Sequence, residues 1–149
     1  KLALLRGDAS AAMEIARHAP PQDRDLYITL ATQIGPDRAA ADKWLADMLA
    51  DKTWAEQGDD GSRYDDDNRY EVAEVYALRG DVDQTLEWLE RSLAADPSHA
   101  LFLLADPFLL RFRDDPRFIA YYKKLGLPPP SESEALSIDQ IRARLAAND

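Results

Sequence analysis

Across residues 69–97 apolar side chains recur twice at helical spacing, with a glycine between the two runs. Val72, Ala73, Val75, Tyr76 and Ala77 form the first set, leaving Glu71, Glu74 and Arg79 for the opposite face, which predicts an amphipathic helix. Gly80 supplies the turn and Asp81 can cap the next helix. That helix buries Leu86, Trp88, Leu89 and Leu93, and Pro97 stops it because proline has no amide donor and clashes with the preceding turn. The same pattern recurs upstream in less regular form. Leu2, Leu4 and Leu5, the turn Arg6-Gly7-Asp8, and then Ala12, Ala16 and Ala19 predict one hairpin. Residues 25–34, Gly35 and residues 36–50 predict another, with Pro36 at the first position of its second helix and Ala40, Trp44 and Met48 facing inward.

Downstream, Asp106-Pro107 and Asp115-Pro116 each place a capping acid before a proline, so two short helices are expected to start there. Leu101, Phe102, Leu104, Phe108, Leu109, Phe112, Phe118, Tyr121 and Leu125 would cover the open end of the preceding hairpins. Gly126 and the run Pro128-Pro129-Pro130-Ser131-Glu132-Ser133-Glu134 predict a stiff, then polar, linker. Ser137 and Gln140 form a capping-box pattern ahead of a last helix with Ile138, Ile141 and Leu145 on one face, expected to fold back on the array.

Ala73, Tyr76, Gly80, Leu93 and Pro97, in that order, resemble a tetratricopeptide repeat. Arg69, Val72, Thr85, Leu89 and Ser92 depart from the family pattern, and the hydroxyls of Thr85 and Ser92 need partners such as a carbonyl one turn back. The resemblance implies an all-α fold: an irregular, right-handed, TPR-like stack of helical hairpins with a C-terminal helical cap. Residues 1–127 would be the array, divided into a partial repeat (1–19), a second hairpin (22–50), an acidic insertion (51–68), the best-matching repeat (69–97) and the cap (98–127); residues 128–149 would be linker and helix. The turn glycines Gly7, Gly35 and Gly80 lie 28 and 45 residues apart, against the 34-residue period of the family, hence the irregularity. The chain begins inside a repeat, as expected of a piece of a longer protein. Residues 69–128 further resemble the repeat-array tail of bacterial multidomain regulators that carry winged-helix, cyclase or kinase domains. In the family the first helix of each hairpin lines a peptide groove, which projects onto Asp25, Thr29, Gln33, Tyr70, Glu74 and Leu78. The Lys and Asn carboxylate clamp of chaperone-binding members is missing from those positions.

Charge sharpens the partner. The net charge is −10, and residues 51–68 hold seven acidic against two basic residues. A surface this acidic repels phosphate, so nucleic acid is not an expected partner, and a protein or peptide with basic and apolar residues is. Asp59, Asp60, Asp65, Asp66 and Asp67 could instead make a divalent-ion site serving a metal-dependent enzyme or sensor, but their spacing lacks the alternation and closing Glu of an EF-hand, and a solvated loop is the simpler expectation. No catalytic motif occurs: cysteine is absent, the only histidines are His18 and His99, both expected at surface or helix-end positions, and no serine sits in a nucleophile elbow. No catalytic residue, metal or cofactor is therefore assigned. Arg111, Arg113, Arg117, Lys123 and Lys124 form a small basic patch, expected to be solvated or to dock an acidic partner. Neither a membrane span nor a signal segment is visible, and a cytoplasmic location is expected.

Overall fold

A computed structural model describes residues 2–50, 69–128 and 136–147, and every regular element among them is helical. The acidic segment 51–68, with its solvated-loop and ion-site alternatives, and linker residues 129–135 lie outside the described residues. The chain divides into two compact units, Lys1–Glu71 and Val72–Asp149. No described helix is long and apolar enough to cross a membrane.

In the first unit α1 (Leu2–Arg6), α2 (Ala9–Arg17), α3 (Pro21–Gln33) and α4 (Arg38–Ala50) each pack on the next. Gly7, at φ 72°, ends α1: its N–H donates to the Leu4 carbonyl (3.1 Å) and the Asp8 N–H to Ala3 (3.0 Å). Asp8 then caps α2 by accepting from the Ala11 N–H at 2.9 Å. Alanine at 12 and 16 keeps the buried face of α2 small, so α3 can approach with Leu26, Leu30 and Ala31. Helix α3 starts at Pro21, beside the expected hairpin start at residue 22, because proline suits a first helical turn whose N–H has no partner anyway. Helix α4 starts at Arg38 rather than Pro36, since Asp37 takes the capping position and accepts from the Ala40 N–H (3.0 Å). Its buried face is Ala41 and Leu45, one residue round from the expected Ala40 and Trp44, which are half-buried.

The second unit carries most of α5 (Arg69–Arg79), then α6 (Val82–Ala95), a 3-10 helix at Pro97–Leu104, another at Leu109–Phe112, α7 (Pro116–Lys124) and α8 (Ile138–Ala146). The α5–α6 turn repeats the Arg-Gly-Asp solution. Gly80 is at φ 79°, Asp81 donates back to Tyr76 (3.1 Å), and the Asp81 carboxylate accepts from the Gln84 N–H (3.1 Å). Helix α5 is less amphipathic than its pattern suggests: Val72, Ala73, Val75 and Ala77 are buried as expected, and Glu74, expected on the open face, is only 2% exposed. On α6 the buried line is Val82, Thr85, Leu89 and Ser92, with Leu86, Trp88 and Leu93 only half-buried. Both hydroxyls are satisfied, Thr85 by donating to the Asp81 carbonyl (2.6 Å) and Ser92 by pairing with His99 Nδ1 (2.7 Å).

The cap differs most from expectation. Asp115-Pro116 opens α7 as anticipated, but no α-helix starts at Asp106-Pro107; Asp106 accepts from the Phe108 N–H (2.8 Å) and the chain tightens into the second 3-10 helix. Phe108, Leu109, Phe118 and Tyr121 are buried as expected, joined by Leu103, Leu110 and Tyr122, whereas Leu101 (73%) and Phe102 (55%) are exposed, Phe102 lying against the His99 ring at 5.7 Å between centroids. The three-residue repeat of a 3-10 helix sends adjacent side chains to different sides, so Leu103 goes in while its neighbours stay out. Tyr122 anchors α7 by donating its hydroxyl to the Leu103 carbonyl. The Ser137 capping box forms in both directions (Ser137 N–H to Gln140 Oε1 at 2.9 Å, Gln140 N–H to Ser137 Oγ at 3.3 Å), and α8 packs on the second 3-10 helix, the fold-back expected of it.

Candidate functional site

The projected groove residues fall in both units, Asp25, Thr29, Gln33 and Tyr70 in the first and Glu74 and Leu78 in the second. Asp25 lies on α3. Thr29, Gln33, Tyr70 and Glu74 are buried, and Leu78 is half-buried. Gln33 serves the packing of its own unit: its amide donates to the Thr29 carbonyl (3.1 Å) and across to Ala41 on α4 (3.3 Å).

The residues with catalytic potential are placed structurally. His18 ends α2, exposed, with Nδ1 at 2.9 Å from the Glu14 carbonyl. His99 sits in the first turn of the 3-10 helix at Pro97–Leu104, the helix-end place expected of it, but its side chain is largely buried, with Nδ1 against Ser92 Oγ and Nε2 at 3.8 Å from Asp96. Ser, His and Asp thus meet, yet Ser92 is 0% exposed and no substrate carbonyl can reach its hydroxyl. Asp96 is engaged in capping: it accepts from the Ser98 N–H (2.7 Å), and this bond chiefly holds its carboxyl below the usual range. Among the described residues no group of three or more His, Asp or Glu is arranged to hold a metal.

The basic patch is largely turned to internal use. Arg111 donates to the carbonyls of Ala77 (2.8 Å) and Leu78 (3.0 Å), capping the C-terminus of α5, where the helix dipole favours a cation. Arg113 Nε donates to the Leu110 carbonyl at 3.3 Å. Arg117 grips Asp115 through Nε (3.0 Å) and Nη2 (2.8 Å) and reaches Asp83 through Nη1 (2.6 Å); its hydrogen bonds hold the Asp115 carboxyl below the usual range. Lys124 pairs with Glu90 at 2.8 Å, and Lys123 is exposed.

The Arg117 and Lys124 pairs frame a furrow of about 420 Å3 between α6 and α7. Asp83, Leu86, Glu87 and Glu90 line it from α6, and Arg117, Ala120, Tyr121 and Lys124 from α7. Each residue of the second set lies 34 positions after its counterpart in the first, and the two cross-furrow pairs carry that separation themselves. Because 83 meets 117 and 90 meets 124, in the same order, α6 and α7 run parallel and in register. Their capping acids, Asp81 and Asp115, obey the same offset. Leu86, Ala120 and Tyr121 form an apolar middle. The Tyr121 hydroxyl is buried without a hydrogen-bond partner, and burial first, then the Glu90 charge, pushes its pKa up. Motif reading missed this site. Its signal is nonetheless in the chain, as opposite charges 34 residues apart at equivalent helix positions.

Comparison of the chain with family models, curated proteins and solved structures returns no match.

Proposed function

We propose that the chain is a non-enzymatic protein-interaction module built of tetratricopeptide-like hairpins stacked right-handedly, the cytoplasmic accessory part of a larger bacterial regulatory protein. The observation that carries this reading is the 34-residue register of α6 and α7, with equivalent N-caps at Asp81 and Asp115 and ion pairs between equivalent positions. That offset equals the period of the family. The frame extends in both directions from α6. One period after α5, residues 103–113 hold the second 3-10 helix; two periods after Arg69 stands Ser137, the cap of α8, and α8 packs on that same 3-10 helix.

The partner is a peptide segment with Lys or Arg beside an apolar anchor, since the chain carries −10 net charge and charge steers encounter while the anchor supplies most of the affinity. Panning a random peptide library on the purified chain tests this. Enriched sequences should combine cationic and apolar residues and bind more weakly as salt rises. Absence of enrichment, or enrichment of acidic sequences, overturns it.

A further inference from the structure

We infer that the furrow between α6 and α7 is where such a partner segment seats its apolar anchor, with Lys or Arg flanking it; this rests on the interaction reading above. The furrow has the anatomy of a binding hot spot. Leu86, Ala120 and Tyr121 make an apolar window, closed at one end by Asp83–Arg117 and at the other by Glu90–Lys124. The pairs are seven residues apart along each helix, about 10 Å at 1.5 Å per residue, so they ring the window with charge at the distance one large side chain needs. A volume of about 420 Å3 lies in the range of pockets that bind small groups.

Sign selects the flanks. Asp83 and Glu90 are held across the furrow by Arg117 and Lys124, while Glu87 is paired along its own helix with Arg91 (2.5 Å). The two cross-furrow pairs are solvent-exposed, and exposed pairs are weak enough to exchange partners at little cost. An incoming Lys or Arg can therefore take up Asp83 or Glu90, whereas an acidic segment approaches a chain whose net charge of −10 has the sign of its own.

The test uses a peptide selected on the parent chain, followed by fluorescence anisotropy. Ala120 is exposed, so Ala120→Glu obstructs the window without entering the core. Binding should weaken roughly tenfold or more, the hot-spot scale. Ile15→Glu, an exposed apolar position in the other unit, should bind as the parent does. If Ala120→Glu retains parental affinity while the peptide still binds, the furrow is not the site and the interaction reading survives; if no peptide binds the parent chain, both fail. Should circular dichroism show that Ala120→Glu does not fold, the double variant Asp83→Asn, Glu90→Gln decides: weaker binding supports the assignment and unchanged binding overturns it.

Discussion

Tyr121 and Tyr122 are neighbours on α7, both buried and both with the phenol pKa pushed up by desolvation, yet their hydroxyls have opposite roles. Tyr122 donates to the Leu103 carbonyl, whereas Tyr121 has no partner. Removing one member of a buried hydrogen bond orphans the other, and removing an orphan does not. Tyr122→Phe should therefore lower unfolding free energy by about 0.5–1.5 kcal/mol, and Tyr121→Phe should leave it unchanged or raise it slightly. Denaturant melts of the two variants check this, and equal losses would mean that the Tyr121 hydroxyl is satisfied after all. The same distinction explains Thr85 and Ser92, whose hydroxyls stay in the buried line of α6 because each finds an acceptor or donor within reach.

Among the elements, the turns are the most strongly specified. Arg-Gly-Asp occurs at residues 6–8 and 79–81, and both copies end one helix in a left-handed glycine and cap the next with aspartate. At Gly80 the Arg111 guanidinium also lies 3.8 Å from where a side chain would begin. Gly80→Ala should cost about 1–2 kcal/mol, the penalty for a left-handed L-residue. Gly35 is different: its φ is not in that region, and an added Cβ would come no closer than 3.4 Å to the Thr32 carbonyl. Gly35→Ala should stay within about 0.5 kcal/mol of the parent. Thermal melts that rank the two variants the other way round would contradict these turn assignments. A glycine in sequence marks a break in a helix; only the backbone says whether the break needs glycine.

Across the molecule, the segment after Pro97 matters through what it covers. Phe108, Leu109, Leu110, Phe118 and Tyr122 are fully buried, and α7 lies along α6 in the 34-residue register. Deleting residues 108–149 strips these side chains from Leu103 and the rest of the second unit, leaving a contiguous apolar surface. The shortened chain should self-associate or melt without cooperativity, as read by sedimentation velocity and calorimetry. A monomer with an unchanged melting temperature would show that the segment is dispensable.

The helical class, the Gly-Asp turns, the Ser137 capping box and the end of α6 at Pro97 are legible in the chain alone, because each depends on residues within one or two turns of one another. What remains depends on segments distant in the chain. Glu74 is buried although its helix looks amphipathic, since periodicity counts faces and not neighbours. Arg111, Arg117 and Lys124 look like a free cationic patch until the fold brings Ala77, Asp83 and Glu90 to them from 34 residues away. The furrow exists only because two helices separated in the chain lie side by side, so its acidic wall, its basic wall and its apolar middle were all present in the sequence without being recognisable as one site.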